Sequence, residues 1–299
     1  MPYLFSTIGL IGKYNDASVA PTLDQIAGWL RQAGRRVLLD EQSAAHVTVR
    51  GPEVATRRLI GRQADLAIVV GGDGTLLDAA RALVDFQVPI VGVNLGRLGF
   101  LTDVSPNEIP AGLDEILQGR FREELRLMLH AQVLRGEQTL SEAMALNDVV
   151  VHKRDVARMV ELDTFLDGQL LNAYRSDGLI ISTPTGSTAY ALSCGGPILH
   201  PALEALLVAP ICPHTLTHRP IVVGADAQIE IHVRGRNTTH MQITCDGQTS
   251  LPIEPDDRIV VRQKRRRVRL LHPVGHDYFE LLRAKLRWGV NPEGSASNR

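Results

Sequence analysis

The chain has 299 residues, enough for two ordinary domains that each bury a core of their own. With 44% hydrophobic residues, 22% charged residues and a formal net charge of −1, its composition excludes a disordered chain and favours neither nucleic acid nor a membrane as a partner. No apolar stretch approaches the roughly 20 residues of a membrane span, and no signal-peptide pattern opens the chain, so we expect a cytoplasmic protein.

Up to about residue 120, apolar runs alternate with segments of helical periodicity. Residues 8–11, 37–39, 66–70 and 90–93 are predicted strands. Apolar residues at 23, 26, 27 and 30 predict a helix, and further helices are expected from about residue 76 and over about 107–117. Strands alternating with helices are typical of a parallel sheet covered on both faces.

From about residue 121 to 271 the pattern changes to short strands separated by turns. Asp167-Gly168 and Asp246-Gly247 each separate two apolar runs, as in β-hairpins. A last amphipathic helix is expected around residues 278–286, followed by a mobile polar tail at 294–299. We therefore predict an α/β Rossmann-like domain (1–120), a mostly-β, sandwich-like domain (121–272), and a C-terminal helix (273–299) that returns to the first domain.

Cysteine and histidine usage gives no metal or disulfide signal. Cys194, Cys212 and Cys245 are too few and too scattered for a disulfide framework or a zinc site, so we expect reduced core thiols. His152, His214, His218 and His272 show no paired ligand spacing and are expected to be polar or core residues.

The segment Gly71-Gly72-Asp73-Gly74-Thr75 lies where a predicted strand ends and a helix begins. Glycines leave backbone N–H groups uncovered, and a helix N-terminus adds partial positive charge, so such a turn suits polyphosphate. A carboxylate beside phosphates would be repelled unless it binds a metal ion or accepts a proton from the attacking group. Alternatively, Asp73 simply caps the helix of a tight turn.

A second hydroxyl-rich turn follows the predicted strand at 178–182. The run from Asp177 to Tyr190 ends in Ser-Thr-Pro-Thr-Gly-Ser-Thr-Ala-Tyr, which brings hydroxyls, backbone amides and an aromatic ring together. Ser187 or Thr188 is predicted to cap a short helix, with Tyr190 beside a nucleotide or, alternatively, in the core.

These segments, taken in order, resemble those of bacterial NAD kinases. The resemblance includes both turns above, Asn94 to Thr102, Leu146-Asn147-Asp148, Gly195 to Leu199 and Pro213 to Pro220, and it covers nearly the whole chain. The first motif is shared with diacylglycerol and sphingosine kinases and, more loosely, with phosphofructokinases, whereas the Ser-Thr-Pro-Thr-Gly-Ser-Thr-Ala-Tyr run is far more specific. The resemblance implies a kinase that transfers the γ-phosphoryl group of ATP to the 2′-hydroxyl of the adenosine ribose of NAD. It also implies a divalent cation, Mg²⁺, and a homo-oligomer, either a dimer or a tetramer.

The resemblance also implies roles for individual residues. Asp73 faces the 2′-hydroxyl as a base, or as an orienter of the metal and the hydroxyl, and the turn around it holds phosphate through Gly71, Gly72, Gly74 and Thr75. The implied NAD-binding residues are Gly74, Phe100, Asn147, Asp148, Arg175, Asp177, Thr188, Ala189, Tyr190, Ser193 and Asp246. Many relatives have Glu where this chain has Asp148, whose shorter reach makes direct contact with NAD less secure.

Arg175 has two possible roles. In isolation, an Arg before Ser-Asp-Gly is an ordinary surface residue or a partner for Asp177. Relatives restricted to NAD tend to carry Arg at this position, so the resemblance implies a preference for NAD over NADH.

Other functions are less well supported by the sequence. A lipid kinase would share Asp73 but needs an apolar acceptor groove, and a non-catalytic NAD sensor would tolerate the loss of Asp73. The basic run from Arg262 to Arg269 has no interleaved aromatic residue, and we interpret it as a solvated strand face with hairpin-turn arginines rather than as a nucleic-acid site.

Overall fold

The computed structural model describes residues 4–45, 47–96, 99–102, 104–105, 109–153, 159–215, 217–234, 241–254 and 257–288. The predicted mobile tail lies outside these ranges, as does the start of the helix predicted at 107–117. Within them, no helix has both the length and the apolar character needed to cross a bilayer. The chain divides into two compact units, one of residues 1–79, 88–124 and 270 onwards, the other of residues 80–87 and 125–269.

Helices and strands alternate in the first part of the chain, and strands predominate after residue 121. The helices are α1 (Ala20–Gln32), α2 (Glu41–Ala44), α3 (Arg57–Gln63), α4 (Asp73–Leu83), α5 (Ala111–Leu117), α6 (Tyr190–Ser193) and α7 (Tyr278–Leu286). Strands in the first half are β1 (Thr7–Gly12), β2 (Arg36–Asp40), β3 (Glu53–Ala55), β4 (Leu66–Val70), β5 (Ile90–Val93), β6 (Arg122–Arg126), β7 (Leu129–Arg135), β8 (Gln138–Ala145) and β9 (Asp148–Lys153). Strands in the second half are β10 (Val160–Leu166), β11 (Gln169–Ser176), β12 (Gly178–Ser182), β13 (Ala205–Ile211), β14 (Ile221–Gly224), β15 (Ile229–Arg234), β16 (Met241–Cys245), β17 (Thr249–Ile253), β18 (Arg258–Gln263) and β19 (Val268–His272).

The first unit is built on a seven-stranded sheet in the order β3-β2-β1-β4-β5-β19-β6. Its central strands are parallel, and all five residues of β4 are buried, as expected for a strand covered on both faces. On α1, the fully buried side chains Leu23, Ile26 and Leu30 recur at helical spacing and join the core cluster that includes Ile8, Leu66 and Ile68. The strands predicted in this region are confirmed, whereas β3, α2 and α3 carried too short a pattern to be predicted.

Two strands of the predicted β half lie in this first sheet. β19 pairs in parallel with β5 through Leu270 and Ile90, and β6 forms the edge beyond it. A strand of five residues has the same apolar pattern in either kind of sheet, so its partner could not be read from periodicity.

The second unit consists of two six-stranded antiparallel sheets, ordered β11-β10-β15-β18-β7-β8 and β14-β13-β12-β9-β16-β17. Alternate residues of both sheets, such as Leu129 and Ala131 of β7 and Val149 and Val151 of β9, share one buried core, as in a β-sandwich. Both predicted hairpin turns are present: Asp167-Gly168 and Asp246-Gly247 each place two consecutive residues at positive φ, from 49° to 79°. The fold class predicted from the sequence, α/β followed by mostly β, is confirmed.

Candidate functional site

The glycine-rich turn of the first unit leads directly from β4 into α4. The strand ends at Val70 and the helix begins at Asp73. The Gly71 N–H donates to the Val93 carbonyl on the adjacent strand β5 at 2.9 Å, which anchors the turn to the sheet. Gly72 is exposed, and a Cβ built on it would meet no atom within 4 Å, so a ligand can approach this backbone closely.

The carboxylate of Asp73 is held in one orientation by the loop that follows β5. Oδ2 accepts the Phe100 N–H at 2.9 Å and Oδ1 accepts the Leu101 N–H at 3.0 Å. A Cβ on Gly99 would lie 2.2 Å from Asp73 Oδ1, so the loop can approach this closely only with glycine at that position. Because β4 and β5 are parallel neighbours, the loops at their carboxyl ends meet.

On α7, the Lys285 ammonium lies 5.4 Å from the centroid of the Phe100 ring, within range of a cation–π contact.

The second unit contains a cavity of about 600 Å³, within the usual range for small-molecule sites. Its wall includes six residues predicted from the sequence to bind NAD: Asn147, Asp148, Asp177, Ala189, Tyr190 and Asp246. Three others in this unit, Arg175, Thr188 and Ser193, are not part of the described lining.

Sequence reasoning missed several residues of this wall, among them His152, Lys153 and Thr244. His152 Nδ1 lies 2.8 Å from the Lys153 carbonyl, which can only accept, so Nδ1 carries the proton. His152 Nε2 then accepts from the Thr244 hydroxyl at 3.1 Å. The strand period of two could have predicted His152. Asp148 and His152 lie on the same strand, β9, at positions an even number of residues apart, so their side chains share one face.

Asp246 holds the turn at residues 146–148 by its carboxylate. Oδ1 accepts the N–H groups of Asn147 at 2.7 Å and Asp148 at 3.3 Å, and Oδ2 accepts the Leu146 N–H at 3.1 Å. Oδ2 also receives Arg81 Nη1 at 2.6 Å, and the Asp246 side chain is fully buried. With both oxygens engaged in this way, the carboxylate shapes the turn, while a direct contact between Asp246 and NAD stays a prediction.

Asp148 is a buried carboxyl group on the same wall, with a relative exposure of 4%. Burial, reinforced by the nearby negative charge of Asp246, raises the pKa of Asp148 to about 7. A small change in pH near neutrality therefore alters the charge of a group that lines the cavity.

The hydroxyl-rich turn after β12 packs directly against the 146–148 turn. Thr183 donates its hydroxyl to the Leu146 carbonyl at 2.5 Å and its N–H to the Asn147 carbonyl at 2.9 Å. A Cβ on Gly186 would lie 2.1 Å from the Asn147 carbonyl oxygen, so glycine is required there.

The predicted helix cap in this turn is wrong. Residues Thr185–Thr188 form a 3₁₀ turn, and α6 begins at Tyr190 without a side-chain cap. The hydroxyl of Ser187 is buried and instead donates to the Pro184 carbonyl at 2.7 Å and accepts the Leu199 N–H at 2.9 Å. The Thr188 hydroxyl donates to the Thr185 carbonyl, so both hydroxyls serve the turn itself rather than a helix terminus.

The three cysteines are free thiols in different environments. Cys245 is buried as predicted, but Cys212 is exposed, so the prediction of a core thiol is wrong for that residue. It follows the end of β13 with φ at 44°, which turns its side chain away from the alternating strand pattern and onto the cavity wall.

Arg175 lies on β11, where its Nε is 3.3 Å from Glu161 Oε1. Both side chains are more than half exposed, as expected for a surface ion pair.

His272 is buried, as predicted for a core histidine, but it lies beside two other possible metal ligands. One ligand atom from each of Glu124, His272 and His276 lies within 4.8 Å of the others. The two imidazole rings stack with centroids 4.1 Å apart and planes 20° apart. Lone pairs of nitrogen lie in the ring planes, so the two stacked rings do not direct them at one common point in this arrangement.

Two interior members of the basic run, Lys264 and Arg267, are engaged in ion pairs. Lys264 lies 2.9 Å from Asp85, and Arg267 forms a two-pronged pair with Glu204. Neutralised cations of this kind suit a solvated hairpin better than a nucleic-acid site.

The fold and these sites define a nucleotide-binding kinase of two units. Sequence models match in both: the ATP-NAD kinase N-terminal domain over residues 8–121 and the ATP-NAD kinase C-terminal domain over residues 146–272. The chain is 49% identical over 284 residues to the NAD kinase of Chromohalobacter salexigens, a match covering 95% of this chain and 97% of that protein. It is also 49% identical over 288 residues to the NAD kinase of Methylococcus capsulatus, covering 96% and 99% of the two chains.

Solved structures agree with this assignment. An NAD kinase from Archaeoglobus fulgidus in complex with ATP is 25% identical and superposes with a TM-score of 0.75, covering 94% of this chain and 98% of that one. A yeast NADH kinase complexed with NADH shares the fold, with a TM-score of 0.88 at 24% identity, covering 97% of this chain and 90% of that chain. The chain belongs to the NAD kinase family.

The contact between Gly186 and Asn147 leads to a first prediction. Gly186→Ala should displace the 146–148 turn, because the added methyl group would overlap the Asn147 carbonyl oxygen. We expect the KM for NAD to rise by about tenfold, equivalent to ~1.4 kcal/mol, in steady-state kinetics. Gly28→Ala in α1, where a Cβ meets nothing within 4 Å, is the matched control and should leave the kinetics unchanged. Equal kinetics for the two variants would contradict the prediction.

The pKa of Asp148 leads to a second prediction. The carboxyl group has a pKa of about 7 when folded and an ordinary value of 3.8, so the folded state binds this proton more tightly. Its contribution to the free energy of unfolding is therefore most favourable at low pH and declines as pH rises from about 4 to about 7. Asp148→Asn removes this titration, so its melting temperature relative to the wild type should be higher at pH 8 than at pH 5. A difference that does not change with pH would disprove this assignment.

Proposed function

We propose that the chain transfers the γ-phosphoryl group of ATP to the 2′-hydroxyl of the adenosine ribose of NAD, forming NADP. The observation that carries the proposal is the pairing of two features in one chain. One is an oriented carboxylate, Asp73, beside a phosphate-type turn. The other is a cavity to whose wall Asn147, Asp148, Asp177 and Tyr190 bring polar groups. A coupled assay for NADP formed from NAD, ATP and Mg²⁺ tests it directly.

Asp73 is the proposed catalytic residue. Its two oxygens each accept one backbone N–H, which fixes the carboxylate plane and leaves lone pairs for the 2′-hydroxyl. In that position the carboxylate orients the hydroxyl and accepts its proton as the oxygen attacks phosphorus. Gly71, Gly72, Gly74 and Thr75 are proposed to hold the phosphates of ATP.

The donor set at Asp73 also fits the proposed divalent cation. Mg²⁺ is usually held by one or two carboxylates together with substrate phosphates, and the free lone pairs of Asp73 meet that requirement. When bound, the cation would offset negative charge on the phosphoryl group being transferred.

The remaining predicted residues are proposed to bind NAD. Asn147 and Asp148 offer an amide and a carboxyl group to ribose hydroxyls, and Asp177 offers a negative charge to the cationic nicotinamide. Tyr190 and Ala189, with Thr188 and Ser193 nearby in sequence, are proposed to receive the adenine. Phe100, whose N–H already orients Asp73, is also a proposed NAD-binding residue.

The other candidate functions are not favoured. A lipid kinase would leave without a role the carboxyl and amide groups that Asn147, Asp148 and Asp177 bring to the cavity wall. A purely NAD-sensing module would have no use for an Asp73 oriented by two amides. The homo-oligomeric state, the cytoplasmic location and the domain boundaries of 1–120, 121–272 and 273–299 stay predictions.

The role of Asp73 leads to a third prediction. Asp73→Asn should fold but lose roughly 10²- to 10⁴-fold in kcat, the usual scale for removing a general base. An amide has one acceptor oxygen, so it can satisfy only one of the two N–H groups that hold Asp73, and it cannot take up the hydroxyl proton. Asp85→Asn, a half-exposed carboxylate paired with Lys264, serves as the control. Near wild-type turnover by purified Asp73→Asn would remove this residue from the mechanism.

The position of Arg175 leads to a fourth prediction. Arg175→Gly should raise kcat/KM for NADH relative to NAD by about tenfold by opening space for the reduced ring, since the structure pairs Arg175 with Glu161 and not with Asp177. Because Arg175 is paired with Glu161, Glu161→Gln is the matched control that removes the ion pair but keeps the arginine. Steady-state kinetics with both dinucleotides decides the matter. An unchanged ratio in Arg175→Gly would make Arg175 an ordinary surface residue.

A further inference from the structure

We propose that Arg81 is a positioning residue for NAD: it holds Asp246 in the orientation that fixes the backbone of residues 146–148. This inference rests on the proposed function, in which that turn binds NAD.

Arg81 lies in the last turn of α4 and is largely buried, with 12% of its side chain exposed. The two terminal nitrogens of its guanidinium contact two residues of the hairpin turn between β16 and β17, and we call this two-pronged contact the fork. Nη1 donates to Asp246 Oδ2 at 2.6 Å, and Nη2 donates to the side-chain oxygen of Gln248. A planar fork that contacts residues on both sides of Gly247 fixes the turn more firmly than a single contact would.

The contacts of Asp246 show what this fork accomplishes. Each carboxylate oxygen accepts two donors: Asn147 N–H and Asp148 N–H on Oδ1, and Leu146 N–H and Arg81 on Oδ2. The turn is also tied in the other direction, because the Asp246 N–H donates to the Asp148 carbonyl at 2.9 Å. Three successive backbone amides therefore donate to one carboxylate, and Arg81 donates to the Oδ2 atom that Leu146 N–H also contacts.

The Asp246 carboxylate is fully buried, so its orientation depends on these donors rather than on water. Removing Arg81 would leave a buried negative charge without this cation, and such a charge relaxes toward other donors or toward solvent. Either movement shifts the amides of residues 146–148. Asn147 and Asp148 belong to the cavity wall, so the effect should fall on NAD rather than on ATP.

A second buried carboxylate of the same unit provides a matched control. Asp257 has 1% of its side chain exposed, accepts the Glu254 N–H at 2.9 Å and pairs with Arg135 Nε at 2.8 Å. Like Asp246 it holds an arginine and a backbone amide on a buried carboxylate, although Arg135 is 48% exposed and also pairs with Glu254, and neither Asp257 nor Arg135 belongs to the described cavity wall. Arg135→Met should destabilise the unit without a specific effect on NAD.

The test compares Arg81→Met, Arg81→Lys and Arg135→Met with the wild type in the full chain. Steady-state kinetics gives kcat and the KM for each substrate, and hydrogen exchange followed by mass spectrometry reports on a peptide containing residues 146–148. For Arg81→Met we expect the KM for NAD to rise about tenfold while the KM for ATP changes less than about twofold, with faster exchange in this peptide. Arg81→Lys keeps the positive charge but loses the two-pronged guanidinium contact. Its rise in the KM for NAD and its increase in exchange should therefore both be smaller than those of Arg81→Met.

Two results would overturn the proposal. One is a KM for NAD in Arg81→Met within about twofold of the wild type, with unchanged exchange at 146–148. The other is an equal rise in both KM values, matched by Arg135→Met, which would indicate general destabilisation. If Arg81→Met does not fold, Arg81→Lys is judged by the same two criteria. If the wild type forms no NADP, the proposed function fails, and hydrogen exchange alone decides whether Arg81 positions the turn.

Discussion

The cavity wall of the second unit depends on the hydrogen bonds and the ion pair that stabilise the buried carboxylate of Asp246. A carboxylate removed from water is strongly destabilising unless it is hydrogen-bonded and paired, and Asp246 meets this requirement with three backbone amides and Arg81. The backbone amides that stabilise this buried charge are those of residues 146–148, so the same hydrogen bonds also fix the shape of the turn. The turn also receives Thr183 and Gly186 from the other side, so its backbone is constrained by two separate segments.

The same principle operates in the first unit with a different outcome. Asp73 also accepts two backbone N–H groups, but it is only half-buried and its neighbour Gly72 is exposed. Its carboxylate is oriented without being saturated, which suits a group that must still accept a hydroxyl. Asp246 is saturated and serves the backbone, whereas Asp73 retains capacity for a substrate, so the two acidic residues differ in role because their surroundings differ.

Asp148 lies between these extremes. It is buried on the wall of the cavity, close to the negative charge of Asp246, and its raised pKa records that it is poorly compensated in the absence of a ligand. Groups that destabilise the free protein in this way are common at binding sites, where a ligand supplies the missing partners. Asp148 is one of the residues that line the cavity.

The sequence alone determined the α/β and mostly-β halves and the hairpin turns at Asp167-Gly168 and Asp246-Gly247. These follow from local periodicity and from the left-handed preference of Asp-Gly. Only the tertiary structure decided that β19 joins the first sheet, that Ser187 bonds Leu199 instead of capping a helix, and that Arg81 reaches Asp246. Each of these contacts joins residues that are distant in the sequence. A local sequence pattern does not encode which distant partner a strand or a side chain will meet.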